Sequence, residues 1–153
     1  MTNETLRRAT LDDVDAVEAL VQAAYGPWVE VIGAVPGPMQ DDYAPAIDEG
    51  VVQVMDDAEG VVALLILRPR EDSLLLENIA VAPRAQGTGL GRRLMAEADR
   101  VARAQGLPRI ILYTHAKMAA NIAIYERAGF VQVEERHERG LHRVYMEKSL
   151  SQN

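Results

Sequence analysis

Residues 75–92 read LLENIAVAPRAQGTGLGR, and this stretch decides the fold. An apolar run with strand character ends at Pro83, a glycine-rich turn follows, and an amphipathic helix begins near Leu90. In a strand–turn–helix of this kind, main-chain N–H groups converge where the positive end of the helix dipole points. The stretch therefore predicts a binding site for an anionic group such as a pyrophosphate.

The composition of the chain narrows the classes of protein to consider. Its 153 residues, 48% of them hydrophobic, suit a single domain that we expect to span residues 1–153. No apolar stretch is long enough for a membrane span, and the first five residues, MTNET, lack the pattern of a secretory signal. We therefore expect a cytoplasmic protein.

Cysteine content and charge exclude further classes. The chain has no cysteine, so it cannot form a disulfide, a thiolate metal site or a cysteine acyl-enzyme. Its net charge of −7 disfavours nucleic acid and anionic membranes as partners. An anionic ligand then needs local positive charge, and Arg84, Arg92 and Arg93 flank the glycine-rich turn. No metal site is expected, because the histidines lack the close spacing of zinc ligands.

The periodicity of apolar residues predicts alternating strands and helices. Strands are predicted at residues 5–9, 51–55, 61–68, 73–81, 109–113, 130–135 and 141–150. Helices are predicted from a capping box at residues 10–13 to residue 25, and at residues 41–49, 89–105 and 118–128. Residues 28–39 are expected to be irregular, and residues 56–60 to form a loop. The order of elements predicts an α/β protein, with a mixed sheet and helices on its faces.

Two elements resemble the signatures of the GCN5-related N-acetyltransferase (GNAT) family. QGTGLG at residues 86–91, after a strand that ends at Val81, is similar to the acyl-CoA-binding signature of that family. NIAIYERAGF at residues 121–130, after a later strand, is similar to its second signature. Both occur in the expected order and context. The resemblance implies the GNAT acyltransferase fold, an α/β fold with a mostly antiparallel central sheet flanked by helices.

The resemblance also implies acetyl-CoA as the cofactor. Main-chain N–H groups of the turn would hold the pyrophosphate, and the strand before it would pair with the pantetheine arm. Asn121 and Tyr125 are four residues apart and so share one helix face, from which they would reach the pantetheine and the sulfur. The implied cofactor-binding residues are Ile79, Ala80, Val81, Gln86, Gly87, Thr88, Gly89, Leu90, Gly91, Arg92, Asn121 and Tyr125.

N-acetyl transfer requires proton transfer. An amine with a pKa near 10.4 is almost wholly protonated at pH 7, so a general base is needed. Glu77 is the expected base, and a surface-facing strand glutamate is the alternative. Tyr125 is the expected acid or hydrogen-bond donor for the departing thiolate, and a core tyrosine is the alternative. The amide of Val81 is expected to hold the carbonyl oxygen. Direct attack by the amine in a ternary complex is expected, because no covalent nucleophile is evident.

The acceptor is expected to be a primary amine of a small molecule or peptide. It would bind near an aromatic-rich lip in a chain that is only 5% aromatic, although such aromatics often just anchor a loop to the core. The expected substrate residues are Tyr25, Trp28, Met39, Tyr43 and His115. The identity of the acceptor, the acyl preference and the source of the base stay open, as does the oligomeric state, for which a homodimer is one option.

Other functions fit parts of the sequence. A non-catalytic acyl-CoA-binding or sensing domain would keep the glycine-rich turn and lose the proton-transfer residues. A dinucleotide-binding oxidoreductase requires an acidic residue at the end of the next strand. Here that strand ends Leu112-Tyr113-Thr114 without a carboxylate, so the sequence does not fit this class. A Walker-type nucleotide hydrolase requires Gly-Lys-Ser/Thr after the turn, and this is absent from the sequence.

Overall fold

A computed structural model describes residues 5–150 of the chain. The strands are β1 (Arg7–Arg8), β2 (Val52–Asp57), β3 (Gly60–Pro69), β4 (Leu74–Val81), β5 (Arg109–His115), β6 (Val131–Glu138) and β7 (Leu141–Ser149). The helices are α1 (Val14–Tyr25), α2 (Trp28–Ile32), α3 (Gly37–Gln40), α4 (Tyr43–Glu49), α5 (Leu90–Ala104) and α6 (Ala119–Arg127). The ends of the predicted domain, residues 1–4 and 151–153, lie outside the described residues, and with them most of the MTNET segment.

The strands form a seven-stranded sheet in the order β1-β2-β3-β4-β5-β7-β6. All neighbours pair antiparallel except β4 and β5, which are parallel. A parallel pair needs a crossover, and α5 supplies it between β4 and β5. The predicted fold class, an α/β protein with a mixed, mostly antiparallel sheet and flanking helices, is confirmed.

Helices cover both faces of the sheet at its centre. The six residues of β3 from Val62 to Leu67 are all buried, although neighbouring side chains in a strand point to opposite faces. Both α1 and α5 pack against β3 and β4. This explains why the sequence of β3 is continuously apolar rather than alternating. None of the helices in residues 5–150 combines the length and the apolar character that crossing a membrane requires.

β4 and β5 pair only near their N-terminal ends. Leu74 lies opposite Ile110 and Leu75 opposite Ile111, and no further pairing joins the two strands. On its other edge β4 stays paired with β3 as far as Val81. The second half of β4 therefore borders an opening inside the sheet.

Main-chain geometry shows which groups of β4 face this opening. The N–H of Ala82 donates to Val62 on the β3 side at 2.9 Å. Because the direction of main-chain N–H and C=O groups alternates along a strand, those of Ile79 and Val81 point the other way. Their carbonyls accept side-chain hydrogen bonds, from Tyr25 at 3.3 Å and from Gln86 at 3.2 Å. Their N–H groups are left facing the opening.

A β-bulge lies in the middle of β4. Ile66 of β3 lies opposite Asn78 and Leu67 lies opposite Leu76, so Glu77 has no partner in the ladder. A bulge bends its strand and redirects its side chains. Glu77 therefore sits where β4 turns away from β5.

Some predicted segments differ from the structure. Residues 28–39, expected to be irregular, contain the short helices α2 and α3, since Gly33 ends α2 with φ +77 and Pro36 precedes α3. The expected loop at residues 56–60 shortens to two residues, because Asp57 pairs with Gly60 as the last step of the β2–β3 hairpin. The strand predicted at residues 130–135 continues to Glu138. The capping box at Thr10 and Asp13 is present, and the main-chain N–H of Thr10 donates to Oδ2 of Asp13 at 2.7 Å.

Candidate active site

The glycine turn, residues 86–92, connects the edge of β4 to the start of α5. Gly87 and Gly89 have φ of +82° and +91°, a region that residues with a Cβ rarely adopt. Apart from the adjacent residues and the main chain of α5 itself, a Cβ built on Gly87, Gly89 or Gly91 would meet no atom within 4 Å, so open space adjoins the main chain. The turn is thus bare of side chains on the side where a ligand could approach.

Main-chain donors are available at this turn. The first bond of α5 runs from the N–H of Arg93 to the carbonyl of Gly89 at 3.2 Å. Helix geometry leaves the N–H groups of Leu90, Gly91 and Arg92 without an intrahelical acceptor, at the positive end of the helix dipole. The side chain of Leu90 is buried, so only its main chain faces the space above the turn. This arrangement suits an anion.

Several side chains around the turn form hydrogen bonds within the protein. Gln86 donates from Nε2 to the carbonyl of Val81, and Thr88 donates from Oγ1 to the carbonyl of Ala85 at 2.5 Å. Arg84 bonds to Asp57 at 2.9 and 3.0 Å and is therefore engaged elsewhere. Arg92 is exposed in the first turn of α5.

A cavity of about 340 Å³, the turn cavity, opens beside the glycine turn. It extends from Gln86, Gly87 and Gly91 along β4 to α6. Ile79, Ala80 and Val81 form its wall on the strand side, which carries the free N–H groups described above. Trp28 of α2 also lines it.

A second cavity of about 350 Å³, the polar cavity, adjoins the turn cavity at α6. It is enclosed by residues 36–38 and 40–41, by β4 and β5, and by the turn between β6 and β7. Charged side chains of both signs line it: Asp41, Glu77, Glu138, Arg139 and Arg143.

The two cavities share four residues, Tyr25, Ile79, Asn121 and Tyr125, which we call the shared wall. Asn121 and Tyr125 come from one face of α6, as their spacing predicts, whereas Tyr25 ends α1 and Ile79 belongs to β4. A ligand extending along β4 from the glycine turn would thus reach the polar cavity at the shared wall.

Glu77 lies in the polar cavity and is held by an ion pair. Nε of Arg68 lies 2.6 Å from Oε1 of Glu77, while Nη1 of the same guanidinium lies 2.8 Å from Glu49. The side chain of Glu77 is 23% exposed. Within residues 5–150 its second oxygen makes no hydrogen bond, so one carboxylate oxygen is available to a ligand.

Tyr125 has a buried ring with an unengaged hydroxyl. The residue is 8% exposed, and its ring packs edge-on against Phe130 with centroids 6.0 Å apart. No described residue makes a hydrogen bond with its hydroxyl, which lies at the shared wall. Burial raises the pKa of Tyr125 to about 12, so the phenol stays protonated at physiological pH.

Asn78, which was not predicted as a site residue, connects the elements around the polar cavity. Its Oδ1 accepts a hydrogen bond from Tyr25 at 2.7 Å, and its Nδ2 donates to Tyr43 at 3.0 Å. Tyr43 in turn donates to the carbonyl of Pro38 at 2.6 Å. The chain of bonds fixes the 36–38 segment over the cavity. A buried asparagine within an apolar strand is the sequence signal that points to such a network.

The other lining charges were not predicted from the sequence either. Burial and then Glu77 raise the pKa of Asp41, while Arg139 and Arg143 oppose this rise. Arg143 lies over the ring of Tyr113, 4.7 Å from its centroid. These residues come from separate parts of the chain, and only the folded topology brings them together.

The expected substrate residues divide into three groups. Tyr25 lines both cavities, His115 lines the polar cavity and Trp28 lines the turn cavity. Tyr43 is buried beneath the polar cavity, and Met39 packs against the core, so neither lines a cavity.

His115 is the last residue of β5, which continues past the end predicted at residue 113. Its Nδ1 accepts the N–H of Lys117 at 3.0 Å, so the neutral ring carries its proton on Nε2. Burial lowers the pKa of His115. Among residues 5–150, no group of three or more histidine or acidic side chains is arranged to hold a metal ion.

Sequence comparison relates the chain to known acetyltransferases. The family model described as the acetyltransferase (GNAT) family matches residues 17–130, about three quarters of the chain. A mycothiol acetyltransferase of Beutenbergia cavernae is 38% identical over 82 residues, which cover 52% of this chain and 28% of that protein. One of Streptomyces scabiei is 46% identical over 56 residues, which cover 37% and 18%. The matched region thus spans less than a third of these relatives.

Structural comparison gives the same fold. The PaiA N-acetyltransferase of Thermoplasma acidophilum, solved in complex with coenzyme A, superposes with a TM-score of 0.75. The match covers 95% of this chain and 98% of that one, at 14% sequence identity. The resemblance seen in the two sequence signatures is confirmed: the chain belongs to the acetyltransferase (GNAT) family.

Proposed function

We propose that the protein is an acetyl-CoA-dependent N-acetyltransferase that moves an acetyl group to a primary amine by direct attack in a ternary complex. The observation that carries this proposal is the meeting of two cavities at the shared wall. One cavity begins at a main-chain anion cradle, and the other is lined by carboxylates suited to an amine. Family membership and relatives named as acetyltransferases support the same reaction.

The residues around the turn cavity fit an acyl-CoA. The N–H groups of Leu90, Gly91 and Arg92 are placed to bind the pyrophosphate. The outward N–H groups of Ile79 and Val81 offer a strand edge to the amides of the pantetheine arm, as in β-strand addition. When bound, acetyl-CoA supplies the acetyl group as a thioester with a thiol leaving group. Its thioester end would lie at the shared wall.

Glu77 is placed to act as the base. Glu77 lines the polar cavity and has one carboxylate oxygen without a hydrogen bond among the described residues. Ile79, two residues further along β4, belongs to the shared wall. We assign Glu77 to accept a proton from the acceptor ammonium, directly or through one water. Arg68 fixes the position of the carboxylate at 2.6 Å during this transfer.

The N–H of Val81 is assigned to the carbonyl oxygen of the acyl group, since it faces the opening between β4 and β5. A fixed main-chain donor at this oxygen stabilises negative charge that develops as the amine attacks. The amine nitrogen forms the new N–C bond while the C–S bond breaks, and the nitrogen then releases its second proton to solvent.

Tyr125 is assigned to the departing thiolate as a hydrogen-bond donor. A phenol with a pKa of about 12 is a weaker acid than an alkyl thiol of pKa about 8.5, so complete proton transfer would cost about 5 kcal/mol. A hydrogen bond to the sulfur avoids this cost and still stabilises the charge. Solvent then supplies the proton to the released thiolate.

Calorimetry and a thiol-release assay test the proposal together. We expect coenzyme A to bind the folded protein, and an amine panel to release thiol from acetyl-CoA with matching formation of amide. Binding without thiol release for any amine would favour the alternative, a non-catalytic acyl-CoA sensor. Folded protein without affinity for coenzyme A would overturn both. A cytoplasmic location and a homodimer remain expectations from the sequence, and light scattering tests the second.

A further inference from the structure

We infer that the acceptor is a small zwitterion, a primary amine that also carries a carboxylate, and that Arg139 binds this carboxylate. The inference rests on the proposed function and narrows its substrate class. The polar cavity is lined by three carboxylates and two guanidinium groups.

Most of these charges are neutralised by partners. Glu77 pairs with Arg68, which lies outside the cavity. Glu138 pairs with Arg143 at 3.3 Å and also accepts the hydroxyl of Tyr145 at 2.7 Å. Two opposite charges then remain without such partners.

Asp41 and Arg139 are these two residues. Both line the polar cavity, yet neither makes a hydrogen bond or a salt bridge with any residue in the described part of the chain. They act on each other through space, since Arg139 lowers the pKa of Asp41 against the effect of burial. An anion and a cation that line one cavity without contacting each other can bind a zwitterionic ligand between them. Its ammonium group would pair with the anion and its carboxylate with the cation.

The backbone of Arg139 adds an independent observation. Arg139 has φ +52 and is followed by Gly140 with φ +75, in a two-residue turn that joins Glu138 to Leu141. Such turns require positive φ at both positions and favour asparagine, aspartate or glycine at the first. Among residues 5–150, Arg139 is the non-glycine residue with positive φ. A long cationic side chain therefore stands where local backbone preference argues against it.

The positions of the charges set the orientation of the acceptor. Glu77 is close to the shared wall along β4. Arg139 belongs to the β6–β7 turn and lines the polar cavity but not the turn cavity. The amine end would lie beside Glu77 and Asp41, next to the thioester, and the carboxylate end would lie at Arg139. A cavity of about 350 Å³ suits a small molecule of the amino-acid type.

The test uses acceptors that differ only in the carboxylate. Several amino acids are each compared with their carboxamide and their decarboxylated amine. Each compound is assayed for thiol release at saturating acetyl-CoA, and for binding to the protein by calorimetry with and without coenzyme A. The proteins are the wild type, Arg139→Asn and the control Arg127→Gln. Asparagine suits positive φ, and Arg127 is an exposed arginine in the last turn of α6, outside both cavities.

For the wild type we expect kcat/KM to be about tenfold or more higher for the free acid than for its carboxamide, the worth of a charge-assisted hydrogen bond. Arg139→Asn should remove this preference by raising KM for the free acid, with kcat little changed and the carboxamide unaffected. Arg127→Gln should behave as the wild type.

Equal use of acid and carboxamide, or a preference that survives in Arg139→Asn, would overturn the inference. So would failure of every free-acid amine to bind and to react. If diamines are acetylated instead, the inference fails while the proposed function stands. If coenzyme A does not bind, the proposed function fails, and the calorimetry without coenzyme A still decides whether Arg139 recognises a carboxylate.

Discussion

The hydroxyl of Tyr25 donates a hydrogen bond of 2.7 Å to Oδ1 of Asn78, whose side chain is almost wholly buried. The other end of the same carboxamide donates to Tyr43, which is bonded to the carbonyl of Pro38. This chain of bonds links the end of α1, the bulged strand β4 and the segment over the polar cavity. It therefore couples the stability of the fold to the shape of the proposed acceptor site.

Tyr43→Phe should lower the free energy of unfolding by about 1–3 kcal/mol, because it leaves a buried donor of Asn78 without its acceptor. Urea denaturation measures this change. Tyr113→Phe is the matched control, since no hydrogen bond of its hydroxyl is found in residues 5–150, and it should change stability little. An equal loss in both variants would show that the network has no special weight.

Tyr125→Phe should lower kcat by about 10²–10³-fold, the effect of losing one hydrogen-bond donor to a developing charge, while the affinity for coenzyme A stays close to that of the wild type. Stability should be nearly unchanged, because the hydroxyl has no partner among the described residues. The donor must be protonated, and its pKa is about 12, so the wild-type rate should not fall between neutral pH and about pH 10 through loss of this proton. Full turnover of the variant at saturating substrate would remove Tyr125 from the mechanism.

Glu77→Gln should lower kcat/KM by about 10²-fold or more and change the shape of the pH–rate profile, because the amide cannot accept the amine proton. Glu49→Gln is the control, since Glu49 is the other partner of Arg68 and does not line the polar cavity. If both variants lose activity equally, the ion pair with Arg68 matters and the base lies elsewhere. An unchanged pH profile in Glu77→Gln would also mean that another group is the base.

Gly91→Ala should separate stability from ligand binding. The residue has negative φ within α5 and open space beside it, so alanine should stabilise the helix by up to about 1 kcal/mol. The added methyl group occupies the place where a phosphate would approach, and the affinity for coenzyme A should fall by about tenfold. Pantetheine, which lacks the pyrophosphate, should bind both proteins alike. Unchanged affinity for coenzyme A would place the phosphates elsewhere.

Stability at acid pH should depend on Asp13. Its hydrogen bonds to Arg7 lower its pKa from 3.8 to about 2, so the folded state favours the ionised carboxylate. This contribution is present above about pH 4 and is lost as pH falls towards 2. Because the side chain of Arg7 is 40% exposed, we expect about 1–2 kcal/mol.

Arg7→Gln should abolish this part of the acid dependence, as followed by urea denaturation at a series of pH values. Arg127→Gln, which removes an arginine that has no ion pair in the described chain, should keep it. Parallel stability curves for the wild type and Arg7→Gln between pH 4 and 2 would contradict the assignment.

The sequence predicted the central elements well, because their signals are local. The turn at residues 86–92 combines an apolar strand, three glycines and an amphipathic helix, and each of these is visible without the fold. Asn121 and Tyr125 share a helix face by spacing alone. The strand bounds shifted where charged residues continue a ladder, as in β6, whose residues up to His137 are exposed at the edge of the sheet.

The polar cavity could not be predicted in this way. Asp41, Glu77 and Arg139 are far apart in sequence, and their meeting depends on the order of strands in the sheet. The bulge at Glu77 depends on the register between β3 and β4, which local pattern does not encode. The aromatic residues illustrate the same limit, since Tyr25 reached the cavities and Tyr43 became part of the core.

The narrow contact between β4 and β5 has a mechanical consequence. The sheet consists of two parts, one of β1 to β4 and one of β5, β7 and β6, which pair with each other through only two residue pairs of β4 and β5. A ligand that hydrogen-bonds along the open part of β4 would lie like an added strand between the two parts. The resistance of the molecule to thermal unfolding would then rise with the supply of that ligand, by mass action.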